Sequence, residues 1–302
     1  MEPYPTTVLL ATDGSADAKI AEQVAVDLCA RSGATLHVVH AWLYTSIGPY
    51  PYASISPTEA FGLFQTQAEA ILEANVARIA HAGGTVHEQY LRLGPAAPEI
   101  VALSEQIGAG LIVLGSRGLG TIPRLMLGST SEAVVHRAHR PVLLVRGGAE
   151  SWPPAQVVIG DDGAATASDV TTVGAGIGRL FGATLTIARA VPELPRLAWY
   201  EEGRREAIEK VHDDMMARAR DALVAEVRAL APMDGPPPNV AFAAGEAAGV
   251  LLDIAAASAA PTLLVVGTRG LGPLARLTLE SVSLKILHAA SGPVLVVPHQ
   301  SS

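Results

Sequence analysis

Cysteine is nearly absent from this 302-residue chain. Cys29 stands alone, so no intrachain disulfide is possible, and its place in the helical pattern Ile20 to Ala30 marks it as a small core residue. Aromatic residues make up 4% against 49% hydrophobic residues, so Ala, Val and Leu must fill the cores. Cations are outnumbered: 21 Lys and Arg against 29 Asp and Glu leave a formal charge of −8, which argues against the basic surface that non-specific nucleic-acid binding needs. No apolar run approaches the roughly 20 residues that span a bilayer. The opening Met-Glu-Pro-Tyr-Pro has neither a basic region nor an apolar core, so a signal peptide is not expected. The expectation is a cytoplasmic protein with neither nucleic acid nor membrane as partner. Several catalytic signatures are also missing. No lysine sits in a G-K-[ST] setting, and there is no G-x-S-x-G elbow, no His-x-Gly-His and no zinc-type Cys/His set.

What is present is an alternation of strand and helix patterns. Thr7–Ala11 reads as a strand, and Thr12-Asp13-Gly14-Ser15 as the turn after it, with Ser15 or Asp13 capping a helix that carries Ile20, Val24 and Leu28 and stops at Ser32-Gly33. Thr35–Ala41 is the second strand. The Pro-rich stretch Trp42 to Pro57 reads as a surface excursion, and Thr58 opens a long helix ending near His81. Strands at Thr85–Leu93, Leu111–Leu114 and Pro141–Val145 follow, separated by helices from Pro95 and from Ser129. Strands apolar on both faces that alternate with helices predict a parallel sheet covered on both sides.

The pattern then repeats. Gly267, Arg269 and Pro293 each follow Gly115, Arg117 and Pro141 by 152 residues, and 11 of 23 positions are identical between Pro123–Val145 and Ala275–Val297, which establishes an internal duplication. The expected organisation is a first domain over 1–146, a linker over 147–155 and a second domain over 156–302. Each is an α/β domain with a five-stranded parallel sheet and helices on both faces.

If the strand order is 3-2-1-4-5, the crevice beyond the strand ends lies between strands one and four. The first loop brings Ala11, Thr12 and Asp13; the second brings Gly115, Arg117 and Gly118. Gly115, Gly118 and Gly128 would let backbone approach a ligand. Ser129, Thr130 and Ser131 open a helix whose N-terminus favours an anion, and Arg117 would add charge-assisted bonds. A phosphate ester is the expected ligand. Asp13 would accept a ribose hydroxyl or hold a divalent cation such as Mg2+ beside the phosphates.

Asp13 after the first strand, followed by Gly115-x2-Gly118-x9-Gly128-Ser129, resembles the ATP-binding pattern of universal stress proteins, G-x2-G-x9-G-[ST], and the resemblance covers nearly the whole chain as two tandem domains. It implies Rossmann-like, flavodoxin-like domains of strand order 3-2-1-4-5 and an adenine-nucleotide-binding protein with ATP as ligand. It places Ala41, which follows His40, near adenine, with Thr12 beside it. It also implies association through the fifth strands, either as a homo-oligomer or as an intramolecular pseudodimer of Val142–Val145 with Val294–Val297. The second copy keeps Asp162, Gly267, Arg269 and Gly270 but has Glu280 in place of Gly128 and Val282 in place of Thr130. A carboxylate where phosphates should pass is repulsive, so the second copy is expected to bind ATP weakly or not at all. Two other readings stand beside a regulatory binding module. One is a slow ATPase or autophosphorylating protein that modifies Ser129 or Thr130; the other is a pseudodimer that binds no nucleotide.

Overall fold

The computed structural model of the chain describes residues 5–44, 56–118, 127–163, 167–191, 202–229, 236–268 and 282–299. The Pro-rich excursion over 45–55 and the Trp199-Tyr200 pair lie outside them. The first half runs β1 (Thr7–Ala11), α1 (Ala16–Ser32), β2 (Thr35–Trp42), α2 (Pro57–His81), β3 (Val86–Leu93), α3 (Ala96–Gln106), β4 (Leu111–Gly115), α4 (Ser129–Arg137) and β5 (Val142–Val145). The second repeats it as β6 (Gln156–Gly160), α5 (Ala167–Leu180), β7 (Thr184–Val191), α6 (Glu202–Ala229), β8 (Asn239–Ala244), α7 (Ala247–Ala256), β9 (Thr262–Thr268), α8 (Val282–Ala289) and β10 (Val294–Pro298).

Local chemistry explains the helix boundaries. Ser15 caps α1 by accepting from the Ala18 amide, and Gly33 ends it in the left-handed conformation at φ 72°. The helix α2 begins one residue earlier than Thr58, because Ser56 and Glu59 form a reciprocal capping box around Pro57. That Ser-x-x-Glu spacing is readable in the sequence as a helix start.

All ten strands form one sheet, in the order β3-β2-β1-β4-β5-β10-β9-β6-β7-β8. Each half has the order 3-2-1-4-5 and is parallel within itself. The halves join where β5 pairs antiparallel with β10, placing Leu143 opposite Leu295 and Val142 opposite Val296. Alternating side chains send Val8, Leu10, Leu143 and Leu295 into an apolar layer under α1, α2 and α5. Leu9, Ile112, Leu144 and Val296 enter the layer under α3, α4, α7 and α8. Both layers run unbroken across the β5–β10 junction, so the fifth strands are interior to the sheet. The segment between the halves is also packed down. Arg146 is buried and donates to the Leu287 carbonyl at the end of α8, and Trp152 stacks edge-on against Phe181 at a centroid distance of 4.8 Å.

One buried titratable group sits on β2. His37 Nδ1 lies 3.1 Å from the Tyr90 hydroxyl, which donates to Glu88 at 2.7 Å. Burial and the neighbouring His87 push the His37 pKa below 6.5, with Glu88 opposing. Above pH 6.5 the group is neutral in both the folded and unfolded chain and contributes no pH dependence. As pH falls through 6.5 the unfolded chain takes up the proton first, so stability is lost until the lower folded pKa is passed. Chemical denaturation from pH 8 to pH 5 is expected to show that acid-side loss in the wild type and a smaller one in His37→Gln.

Candidate functional site

Beyond the ends of β1 and β4 the described residues enclose a cleft of about 240 Å3. Its lining includes every position expected from sequence: Ala11, Thr12, Asp13, Ala41, Gly115, Arg117, Gly118, Gly128, Ser129, Thr130 and Ser131. It also includes apolar residues that sequence reasoning did not name, Val39 on β2, Ala96 and Ile100 on α3, and Leu114 on β4. Those side chains give the lining its apolar part; the turn after β1, the loop after β4 and the start of α4 supply its polar groups.

The individual roles differ from the sequence reading in four places. Arg117 was expected to reach toward a ligand. Its fork instead grips Asp17 on the first turn of α1, with Nε donating to Oδ2 at 3.0 Å and Nη2 to Oδ1 at 2.8 Å. Asp17 is buried and takes a third bond from Ser116 Oγ at 2.8 Å, while Ser15 Oγ donates to the Arg117 carbonyl at 3.2 Å. The β4 loop is thereby tied to α1 by four bonds across a separation of about 100 residues. Arg146 stands close enough that burial and the Arg117 charge lower its pKa, with Asp17 opposing.

Gly115 was read as a point of ligand approach, but α1 itself occupies the space. A Cβ there would lie 2.8 Å from the Ala18 nitrogen and 2.9 Å from the Asp17 Cβ. Ser131 was read as a ligand hydroxyl. It is buried and donates to the Gly115 carbonyl at 2.8 Å, and Ser283 makes the same bond to Gly267 at 2.7 Å in the second half. This pair of bonds is architectural. The Thr12 hydroxyl turns away from the cleft and donates to Glu22 on α1 at 2.9 Å.

The remaining positions keep groups directed at the cleft. Asp13 is half-buried, with Oδ1 accepting from the Ser15 amide at 3.0 Å. Ser129 and Thr130 are exposed at the start of α4, where Gly128 is the N-cap and no side chain caps the amides. Gly128 donates to the Ser116 carbonyl at 2.8 Å, and a Cβ on it would sit 3.2 Å from that oxygen and 3.3 Å from the Arg117 Cα. A side chain at this position would have to push the β4 loop back by a few tenths of an ångström. Asp17 and Glu22 had one signal in the sequence: carboxylates set among the inward Ala18, Ala21, Val24, Ala25 and Leu28 of α1, a face where a charge needs a partner.

The second half has the same strand register but different chemistry. Asp161 takes the place of Thr12, its amide donating to Ala188 at 2.9 Å as that of Thr12 does to Val39 at 3.0 Å. Its carboxylate accepts from Arg189 Nη2 at 2.7 Å, and Arg189 stands where His40 stands in the first half. The expectations for Arg269, Gly270, Glu280 and Ser281 fall outside the described residues.

The sequence profile of the Universal stress protein family matches residues 5–146 and again 155–298. The chain belongs to the universal stress protein family, as a tandem of two such modules. A universal stress protein of Mycobacterium tuberculosis is 32% identical over 148 residues, 48% of this chain and 45% of the relative, so the chain spans about half the length of that curated relative. A second from the same organism is 28% identical over 274 residues, 86% of this chain and 85% of its own. Among solved structures, a universal stress protein from Archaeoglobus fulgidus has a TM-score of 0.68 at 20% identity, covering 97% of this chain and 98% of its own, a likeness of fold. Among the described residues no helix is long and apolar enough to cross a membrane.

Two glycines separate packing from access. Gly115→Ala is expected to lower stability by ~1–3 kcal/mol, because backbone of α1 must move. Gly118→Ala is expected to stay closer to wild type, since its Cβ would meet only the end of the Asp13 side chain, 2.5 Å away at Oδ2, and no backbone. Urea denaturation of the two variants checks the contrast.

Proposed function

We propose that the first half binds an adenine nucleotide, ATP with or without Mg2+, and that the protein works as a nucleotide-responsive binding module. The observation that carries this reading is the joining of two chemistries in one cleft. Val39, Ala41, Ile100 and Leu114 offer a flat ring an apolar seat, and the uncapped start of α4 offers phosphates free amides. An anion at such a terminus gains roughly 0.3–1 kcal/mol from the helix dipole, besides its hydrogen bonds. Asp13 lines the same cleft and suits a ribose hydroxyl. No group of three or more His, Cys, Asp or Glu that could hold a metal occurs among the described residues. A Mg2+ ion would therefore be held by the phosphates with Asp13 as its one carboxylate, consistent with how this ion binds alongside substrate phosphates.

The second half is proposed not to bind ATP. Asp161 puts a carboxylate in the turn itself, and the sequence places Thr166 where Asp17 stands and Glu280 where Gly128 stands. The anchor of the β4 loop and the approach at the α4 start are thus both changed. Association through β5 and β10 is satisfied within the chain; larger assemblies would use other surfaces.

Calorimetric titration of the full chain with ATP tests both statements. The expected result is one ATP per chain, and loss of at least about tenfold in affinity in Gly128→Glu, the equivalent of losing ~1.4 kcal/mol. Two equivalent ATP sites per chain would overturn the reading of the second half. No binding at all would overturn the reading of the first.

A further inference from the structure

The turn at the floor of the cleft is held from behind by an ion pair whose carboxylate, Glu22, is buried while Arg78 is partly exposed. Thr12 spends all its polar atoms on the protein: its amide on the Val39 carbonyl at 3.0 Å, its carbonyl on His40 Nδ1 at 2.9 Å, and its hydroxyl on Glu22 Oε1 at 2.9 Å. With a carbonyl as partner, His40 Nδ1 must carry the proton. Glu22 is 4% exposed and is gripped at both oxygens by Arg78 of α2, Nε to Oε2 at 3.0 Å and Nη2 to Oε1 at 2.9 Å. Arg78 Nη2 also donates to Asn75 Oδ1. Asn75 backs Gly14, where a Cβ would lie 3.6 Å from Oδ1 and where φ is 77°. Asp13 is the residue between these two fixed points.

The second half fixes the corresponding turn by another route. Thr171 occupies the place of Glu22, and the carboxylate has moved into the turn as Asp161, paired with Arg189 on β7. Both halves therefore set one carboxylate–guanidinium pair under this turn. Only the first keeps the carboxylate behind it, on a helix, so that the turn lines the cleft with a neutral residue and the single carboxylate of Asp13.

We infer that Glu22 and Arg78 are positioning residues of the first-half nucleotide site, acting through Thr12 to hold the turn that bears Asp13 against the nucleoside end of the ligand. This rests on the reading that the first half binds an adenine nucleotide. The placement predicts a selective effect. Without Mg2+ the turn serves ribose through Asp13, so in EDTA weakening it should cost nucleoside affinity and spare phosphate affinity.

The test is calorimetry in EDTA on the full chain with ATP, adenosine and tripolyphosphate, for wild type, Thr12→Ser, Thr12→Val and Glu22→Gln. A bond to a charged group is lost in the last two, so ATP and adenosine should each weaken by about tenfold, with the affinity of tripolyphosphate unchanged. Thr12→Ser keeps the hydroxyl and should bind within about twofold of wild type. If Glu22→Gln does not fold, Thr12→Val decides, since valine matches threonine in shape and leaves the Glu22–Arg78 pair in place. Wild-type affinities for all three ligands in a folded Thr12→Val, or an equal loss for tripolyphosphate, would overturn this inference alone. Failure of wild type to bind ATP or adenosine would overturn the nucleotide reading and this inference with it.

Discussion

The cleft depends on the clasp between Asp17 and the loop after β4. A parallel sheet brings the ends of β1 and β4 together, but it does not fix the loops that leave them. Here the first turn of α1 inserts a buried carboxylate that takes two bonds from Arg117 and one from Ser116. The carboxylate is out of water, so its pairing has to be complete; removing one partner would strand a buried charge, which typically costs several kcal/mol. The absence of a side chain at Gly115 is the geometric condition for this clasp, because a Cβ there would come within 2.8–2.9 Å of Asp17 and Ala18 on α1. With the loop so held, α4 starts at a fixed height over the cleft and its uncapped amides face one place.

The two halves show how one architecture carries two different surfaces. Their strand order and register are the same, and the Ser131–Gly115 bond recurs as Ser283–Gly267. These shared features keep the fourth strand, its loop and the following helix together. The differences gather at the turn and at the loop clasp: Thr12 against Asp161, Glu22 against Thr171, His40 against Arg189, Asp17 against Thr166. The duplicated module has kept its packing residues and exchanged several of its polar ones. Joined through β5 and β10, the second half completes the sheet and the two apolar layers of the first. It contributes stability to the first whether or not it takes a ligand.

Most of the fold was legible in sequence because apolar strands and glycine stops are local signals. The strand at Thr7–Ala11 and the stop at Gly33 follow from short-range pattern, whereas the pairing of the fifth strands was implied by the family resemblance. The positions around the cleft were legible too, since topology alone brings the two loops together. Their duties were not. Whether an arginine points at a ligand or at a carboxylate depends on a partner about 100 residues away, and Asp17 gives no local hint of Arg117. Glycine is ambiguous in the same way: Gly115 makes room for a helix, whereas Gly128 makes room for a loop, and the sequence shows only that both lack a side chain. Hydroxyls divide by exposure, with Ser129 and Thr130 outward and Ser131 inward on the same helical turn.

The central claim is that two loops far apart in sequence form one nucleotide site, and that only the first half has it. Hydrogen–deuterium exchange of the full chain with and without ATP addresses it directly. The account predicts slowed exchange in peptides covering residues 11–15, 115–118 and 128–132, with no change in those covering 160–163, 267–268 and 282–284. Equal protection in both halves, or protection confined to one of the two loops of the first, would contradict it.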